Sequence, residues 1–329
     1  MDKPKVFVTR PFPIEAITLL ENTAEVSVWM EETPPPPDVL LREAVRAEGI
    51  LSMLTDKIDA DLMEAAANLR VISNNAVGVD NIDVAAATAR GIAVGNTPGV
   101  LTETTADLAF ALLLAVARRI VQADGFLRAC GWRAWSPTLF LGQDVSGATI
   151  GIVGMGRIGR AMARRACGFS MPILYTNPRP VPEVEDEFGA RRVKLGELLR
   201  KSDFVTIHAP LTSETRRLIG RAEFELMKPT GILINTARGP IVDQDALYVA
   251  LKTRRIAGAG LDVFENEPVD CDDPLLALDN VVVVPHIGSA TVATRTKMAY
   301  MAVENVIAGL NDEPLPYPVN AVQAPEPTA

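Results

Sequence analysis

Histidine is scarce in this sequence of 329 residues, which contains only His208 and His286. Cysteine is also rare, and its three positions, Cys130, Cys167 and Cys271, are far apart. An odd number of widely spaced cysteines offers neither a disulfide framework nor zinc-ligand spacing, so we expect no metal site and a reducing, cytoplasmic compartment. Because imidazole is the usual side chain for proton transfer near neutral pH, such chemistry has only two candidates here.

A surplus of positive charge and long apolar runs are lacking as well. The 32 lysine and arginine residues against 41 acidic residues give a formal net charge of -9, which argues against a nucleic-acid partner. The apolar run at 108–117 is far shorter than the roughly 20 residues of a membrane-spanning helix, and we expect no signal peptide before the first predicted strand. We therefore expect no membrane partner. With 48% hydrophobic and 22% charged residues, the chain is typical of a globular protein of about two domains.

Short β-branched runs alternate with helical stretches along the chain. In its first hundred residues, we predict strands at 6–9, 50–54, 71–74 and 92–95, and helices at 14–21, 37–46, 60–67 and 83–90. A long helix is predicted at 101–126, and its apolar middle indicates burial between domains or subunits. Further strands are predicted at 149–153, 173–176, 204–208, 232–235, 259–263 and 281–284, and a last helix at 290–310.

This alternation predicts an α/β protein with two doubly wound parallel-sheet domains. The first, a flavodoxin-like substrate domain, begins with residues 1–98. Residues 99–287 form the second, and their six strands fit a complete Rossmann dinucleotide-binding domain. Residues 288–329 are too few for a third domain, so we expect them to return to the substrate domain and make it discontinuous.

A glycine-rich turn follows the strand predicted at 149–153. The first glycine of a GxGxxG motif allows a tight turn, the second lets a pyrophosphate approach the backbone, and the third lets the helix pack against the strand. The motif alone is weak, but here it stands between a predicted strand and a predicted helix, whose N-terminus favours phosphate. The residues that we expect to bind a dinucleotide here are Gly154, Met155, Gly156, Arg157, Ile158 and Gly159.

The end of the next strand indicates which dinucleotide is bound. An acidic residue at this place usually holds the free ribose 2′-hydroxyl of NAD, but this chain has Asn177, Pro178 and Arg179, with no acid before Glu183. Asn177 can donate a hydrogen bond to a 2′-phosphate and Arg179 can pair with it, so NADP(H) is favoured and NAD(H) stays possible. The alternative is that Asn177 is a turn residue and Arg179 a solvated surface charge.

Arg238, Glu267 and His286 each follow a predicted strand of the second domain. The carboxyl ends of parallel strands form the edge at which open α/β sheets bind ligands. An arginine, a carboxylate and an imidazole meeting at a nicotinamide can orient a substrate and deliver a proton while hydride adds to a carbonyl carbon. Singly, each is more often structural. His208 also ends a strand, but no carboxylate partner is recognisable beside it.

At these residues the chain resembles the D-isomer-specific 2-hydroxyacid dehydrogenase family, and within it the glyoxylate and hydroxypyruvate reductases. The resemblance extends from about residue 6 to residue 320, and its motifs are specific as a set. The matching strings are AVGVDNID at 76–83, the glycine motif at 154–159, INTARG at 234–239, GLDVFENEP at 260–268 and PHIGS at 285–289.

The resemblance implies roles for individual residues. His286 would protonate the carbonyl oxygen, and Glu267 would hydrogen-bond to its imidazole and favour the charged form. Arg238 would anchor the substrate carboxylate, together with the backbone amides of Val77 and Gly78. We also expect Leu54 to contact the substrate. Trp135 is expected to reach the partner subunit's site, and the alternative for Trp135 is packing at the interface between subunits. The residues expected to line the cofactor are Ala209, Pro210, Thr236, Ala237, Arg238, Asp262, His286, Ile287 and Gly288, with Asp262 facing the nicotinamide carboxamide.

The resulting prediction is an NADP-preferring cytoplasmic reductase of small 2-oxo acids that acts as a homodimer. Its expected reactions are glyoxylate to glycolate and hydroxypyruvate to D-glycerate. One alternative is an NAD-dependent dehydrogenase of another D-2-hydroxy acid, such as 3-phosphoglycerate. An alternative of another class is a dinucleotide-sensing binding protein, like the transcriptional corepressors that resemble this family.

Overall fold

The computed structural model describes residues 3–322, which divide into two compact units. Unit 1 combines the N-terminal segment up to Leu101 with the C-terminal segment from Thr291, and unit 2 runs from Thr102 to Ala290. The sequence predicts the two boundaries after residues 98 and 287, and each lies three residues before the boundary in the structure. No helix in the described part of the chain is long and apolar enough to cross a membrane.

Unit 1 is built on a five-stranded parallel sheet. Its strands are β1 (Lys5–Val8), β2 (Glu25–Val28), β3 (Gly49–Ser52), β4 (Val71–Asn74) and β5 (Ala93–Gly95). Its first helices are α1 (Ile14–Glu21), α2 (Pro37–Arg46), α3 (Ala60–Ala65) and α4 (Val84–Ala89). The strand order β2-β1-β3-β4-β5 is that of flavodoxin-like domains, the class that the sequence predicts for this unit.

Helices cover both faces of this sheet because successive side chains of each strand point to opposite faces. In β1, Val6 and Val8 pack into one apolar cluster and Phe7 into the other. Strand β2 was missed by the sequence prediction. It lies at the sheet edge and its residues are exposed or half-buried, so it lacks the apolar run that marked the other strands.

Unit 2 contains a seven-stranded parallel sheet. Its strands are β6 (Ile150–Val153), β7 (Ile173–Thr176), β8 (Arg191–Arg192), β9 (Phe204–Ile207), β10 (Ile232–Asn235), β11 (Gly258–Leu261) and β12 (Val281–Val283). Its α-helices are α5 (Thr102–Ala117), α6 (Ile120–Arg128), α7 (Arg157–Gly168), α8 (Pro182–Phe188), α9 (Leu195–Lys201), α10 (Arg221–Leu226) and α11 (Gln244–Lys252). Short 3₁₀ helices occur at Gly239–Ile241 and Pro274–Ala277.

The strand order of unit 2 is β12-β11-β10-β9-β6-β7-β8. The order reverses between β6 and β9, which is the kind of switch point where open α/β sheets bind ligands. Ile150 and Ile152 of β6 pack into one apolar cluster with Phe110 of α5, and Val153 packs into the cluster on the opposite face. Unit 2 is therefore doubly wound, as the sequence predicts.

Two details of unit 2 differ from the sequence prediction. The helix predicted at 101–126 is two helices, because Arg119 adopts a left-handed conformation, with φ 53°, between α5 and α6. A seventh strand, β8, was also missed, since two exposed arginines carry no strand signal.

The C-terminal helix α12 (Val292–Leu310) belongs to unit 1. Thr291 caps its first turn by accepting a hydrogen bond from the Thr294 N–H at 3.2 Å. Its buried Asn305 donates to the carbonyl of Asn96 at 3.1 Å and accepts from the Tyr317 N–H at 3.0 Å. The chain after α12 is thereby tied to the end of β5.

Candidate active site

The glycine-rich turn joins β6 to α7. Gly154 has φ 93°, and a Cβ there would lie 2.6 Å from the Ala209 nitrogen; a Cβ at Gly159 would lie 2.2 Å from the Gly154 oxygen. Both positions therefore require glycine. A Cβ at Gly156 would meet nothing within 4 Å, so open space lies over the start of α7. Because the first N–H groups of a helix have no partner within the helix, this geometry fits the pyrophosphate of a dinucleotide.

Asn177 ties the glycine-rich turn to the loop after β7. Its Oδ1 accepts the Met155 N–H at 3.2 Å, and its Nδ2 donates to the Arg179 carbonyl at 2.9 Å. The amide expected to face a 2′-phosphate is thus used twice within the protein, although its second N–H remains. Pro178 and Arg179 are exposed. No acid occurs between Thr176 and Glu183.

Glu267 and His286 lie side by side at the carboxyl edge of the sheet. The imidazole Nδ1 and Glu267 Oε2 are 2.6 Å apart, and about a quarter of each side chain is exposed. The other carboxylate oxygen accepts the Phe264 N–H at 2.9 Å, which holds the carboxylate in place. The imidazole Nε2 has no hydrogen-bond partner within residues 3–322. This pair can therefore present a proton to a ligand from Nε2.

Asp262 organises the backbone around His286. Its two carboxylate oxygens accept the N–H groups of Ile287 at 2.6 Å and Gly288 at 2.8 Å, and its carbonyl accepts the His286 N–H at 3.0 Å. These bonds hold His286 at a φ of 50°, a backbone conformation that residues other than glycine rarely adopt. Asp262 is buried, and burial raises the pKa of its carboxyl to about 6.

Arg238 follows β10, the neighbour of β11 in the sheet. Asn235 shapes the turn, because its Nδ2 donates to the Arg238 carbonyl at 2.9 Å and its Oδ1 accepts the Ala237 N–H at 3.1 Å. A Cβ at Gly239 would lie 1.8 Å from the Phe264 oxygen, so the next residue must be glycine. The backbone of Arg238 is therefore fixed at the same edge of the sheet, and its side chain is half-buried there.

His208 has a different environment from His286. Its Nε2 lies 2.8 Å from the Thr206 hydroxyl, and burial of the ring lowers its pKa to about 3. A ring that stays neutral near pH 7 cannot serve as an acid there. The neighbouring Ala209 is half-buried and Pro210 is exposed.

Thr236 supplies a second observation that fits a bound cofactor. Its hydroxyl is buried and has no hydrogen-bond partner among the described residues. Buried polar groups are normally paired, so an orphaned hydroxyl at the ligand-binding edge suits a polar ligand. The adjacent Ala237 is half-buried.

The substrate-binding residues predicted in unit 1 follow β3 and β4. Leu54 is half-buried. The carbonyls of Val77 and Gly78 accept hydrogen bonds from Asn96 Nδ2 at 2.7 Å and Asn74 Nδ2 at 2.8 Å. Within the described residues, the N–H groups of Val77 and Gly78 have no such partner. These two amides are therefore available to an anion.

Two residues that support the Glu267 turn were missed by sequence reasoning. Gln244 accepts the Glu265 N–H at 2.9 Å and donates to Asp273 at 2.7 Å. Arg217 donates to the Glu265 carboxylate at 2.9 Å. They come from a helix and a loop distant in sequence, and no local motif marks them.

Comparisons with known proteins show the family to which this chain belongs. Residues 110–288 match the family model described as D-isomer specific 2-hydroxyacid dehydrogenase, NAD binding domain. The chain belongs to this family. It is 54% identical over 319 residues to the glyoxylate reductase of Korarchaeum cryptofilum (strain OPF8), covering 97% of this chain and 96% of that protein.

Solved structures of 2-hydroxyacid dehydrogenases and related proteins match the whole fold. A protein from Thermus thermophilus superposes with a TM-score of 0.89 at 47% identity, covering 96% of this chain and 100% of that one. The NADPH-dependent glyoxylate/hydroxypyruvate reductase of Sinorhizobium meliloti, solved with NADP and malonate, superposes with a TM-score of 0.83 at 34% identity, covering 97% of both chains. The chain is thus an NAD(P)H-dependent 2-hydroxyacid dehydrogenase, and it binds a nicotinamide dinucleotide.

Proposed function

We propose that this dehydrogenase reduces glyoxylate to glycolate and hydroxypyruvate to D-glycerate, with His286 as the proton donor. The observation that carries the proposal is the Glu267–His286 pair, whose imidazole Nε2 is left for a ligand at the edge where Arg238 lies. Relatives with 50 to 54% identity are glyoxylate reductases. The bound nicotinamide supplies the hydride.

In the proposed reaction, His286 gives the proton on Nε2 to the carbonyl oxygen of the substrate. Glu267 accepts the hydrogen bond from Nδ1, so it orients the ring and stabilises its positive charge before transfer. The guanidinium of Arg238 binds the substrate carboxylate, which fixes the position of the carbonyl carbon. Arg238 thus binds the negative charge that the substrate carboxylate already carries. His286 neutralises the negative charge that develops on the carbonyl oxygen as hydride is added.

The contribution of unit 1 is proposed to be the binding of a carboxylate. The N–H groups of Val77 and Gly78 are available because the asparagine side chains take up only the carbonyls of these residues. Two amides directed at one carboxylate would hold it without adding charge. Leu54 is proposed to contact the apolar part of a small substrate.

We propose that NADP(H) is preferred to NAD(H). The loop after β7 has no carboxylate to repel a 2′-phosphate, and Arg179 is exposed there. Residues at the carboxyl edge are proposed to line the cofactor, with Asp262 orienting its carboxamide. They comprise the six residues of the glycine-rich turn, Asn177, Pro178, Arg179, Ala209, Pro210, Thr236, Ala237, Arg238, Asp262, His286, Ile287 and Gly288.

The proposed active form is a cytoplasmic homodimer. Helix α6 buries none of its residues, yet Ile120, Val121 and Leu127 on it are apolar and more than half exposed. Trp135, with 79% of its surface exposed, lies in the segment that follows. A second copy of this chain would cover these side chains, and Trp135 is then proposed to reach the partner subunit's site. Three exposed, unpaired cysteines suit a reducing compartment.

A substrate panel tests the proposed function. Glyoxylate, hydroxypyruvate, pyruvate and 3-phosphohydroxypyruvate would each be assayed with NADPH and with NADH by loss of absorbance. We expect the highest kcat/KM for glyoxylate or hydroxypyruvate with NADPH. A preference for 3-phosphohydroxypyruvate or for NADH would contradict the substrate or the cofactor assignment. Binding of dinucleotide without reduction of any 2-oxo acid would instead indicate a sensing protein.

A further inference from the structure

The loop between β7 and α8 is fastened within the protein at both ends. At its start, the Asn177 side chain bonds to Met155 and to the Arg179 carbonyl. At its end, the buried Tyr175 hydroxyl accepts the Val181 N–H at 2.9 Å and donates to Glu185. The place where a Rossmann fold receives the ribose of its cofactor is therefore already shaped without ligand.

Arg192 holds the same loop from the edge of the sheet. It lies in β8 opposite Tyr175 of β7. Its Nε donates to the Asn177 carbonyl at 3.1 Å and its Nη2 donates to the Pro178 carbonyl at 2.7 Å. A guanidinium has five N–H donors, so donors remain after these two bonds.

The ion pairing of Arg192 differs from that of its neighbour Arg191. Arg191 forms an ion pair with Glu197 of α9 at 3.3 Å, whereas no carboxylate within residues 3–322 pairs with Arg192. Carboxylates at the start of α8 have other partners. Glu183 pairs with Arg160 at 3.6 Å, and Glu185 accepts the hydrogen bond from Tyr175.

We propose that Arg192 determines cofactor specificity by binding the 2′-phosphate of NADP together with Arg179. The two carbonyl contacts place its guanidinium beside Asn177 and Pro178, and its remaining N–H groups bind the phosphate oxygens. A dianionic phosphate monoester fits this position because positive charge is present and acidic residues are absent from the loop. The inference rests on the NADP preference proposed above, and it names a residue that lies well outside the loop motif.

The test uses ligands that carry no nicotinamide, so that binding is measured apart from catalysis. Isothermal titration of the full chain with adenosine 2′,5′-bisphosphate and with adenosine 5′-monophosphate compares the site with and without the 2′-phosphate. We expect Arg192→Gln to raise the Kd of the bisphosphate about tenfold or more, and to leave the Kd of the monophosphate within about twofold. The matched control is Arg191→Gln, which should leave both values within about twofold because Arg191 is paired elsewhere.

Three results would overturn the inference in distinguishable ways. If Arg192→Gln binds the bisphosphate as tightly as the wild type, Arg192 does not bind the phosphate. If it weakens both ligands equally, Arg192 is only a structural support of the loop. If the wild-type protein itself does not discriminate between the two ligands, the proposed NADP preference is wrong, and the inference fails with it.

Discussion

The two histidines show how differently one residue type can be set in one domain. His286 has a carboxylate at 2.6 Å and a left-handed backbone held by Asp262, while His208 has a hydroxyl partner and a pKa lowered to about 3 by burial. The family resemblance predicts this division, because it implies a carboxylate partner, Glu267, for His286, and no such partner is recognisable beside His208. The sequence does not predict that Asp262 also holds the backbone around His286. That role depends on hydrogen bonds from backbone N–H groups 25 and 26 residues further along the chain.

His208 leads to a prediction about stability and pH. Its pKa is about 3 in the folded protein and 6.5 ordinarily. A lowered pKa stabilises the fold above pH 6.5, and this contribution is lost as the pH falls towards 3. We expect the free energy of unfolding to fall more between pH 7 and pH 4 in the wild type than in His208→Gln. Denaturant unfolding at both pH values measures the difference, and equal losses in the two proteins would contradict it.

Among the structural elements, those with apolar runs or a backbone motif were predictable and the others were not. The glycine-rich turn of β6 and α7 is encoded by local sterics, which a motif captures. Strands β2 and β8 were missed because exposed edge strands need no apolar pattern. The break between α5 and α6 at Arg119 was missed too, since neither proline nor glycine marks it. Contacts that join distant elements, such as Arg192 with the loop after β7, leave no local signal.

Two alanine substitutions separate the roles of glycines within one turn. Gly156→Ala adds a Cβ into open space, so we expect the free energy of unfolding to change by less than about 1 kcal/mol. The same Cβ would lie in the space that we propose for the pyrophosphate, so the Kd of the dinucleotide should rise about tenfold or more.

Gly154→Ala is the matched control for this turn. Its Cβ would lie 2.6 Å from the Ala209 nitrogen at a φ of 93°, so it should destabilise the fold by more than about 1 kcal/mol. Thermal or denaturant unfolding and dinucleotide titration measure both effects. Unchanged dinucleotide affinity in Gly156→Ala would show that the phosphates bind elsewhere.

At the scale of the whole molecule, the sequence predicts two doubly wound units, and both parallel sheets are present. The alternation of strands and helices suffices for this, because parallel strands require crossovers. The surface is less predictable. The apolar middle of α5 is buried in an apolar cluster of unit 2, whereas the sequence predicts burial between domains or subunits. Helix α6 and the segment after it leave large apolar side chains exposed.

Light scattering after size exclusion tests the proposed homodimer. The wild type should have about twice the 35.3 kDa of one chain, and Leu127→Asp should shift it to the mass of one chain, because a buried charge opposes association. Leu41→Asp is the matched control, since Leu41 is an exposed leucine on α2 of unit 1. A wild type that runs as a monomer at micromolar concentration would contradict the proposal, as would equal dissociation in both variants.

The central claim is that the imidazole of His286 delivers the proton when a 2-oxo acid is reduced. Steady-state kinetics of His286→Asn with glyoxylate and NADPH, combined with titration of NADPH alone, tests it most directly. The account predicts that kcat falls by about 100-fold or more while the Kd of NADPH stays within about twofold of the wild type. A kcat within about tenfold of the wild type would contradict it, because the other histidine is neutral and no third one exists in the chain.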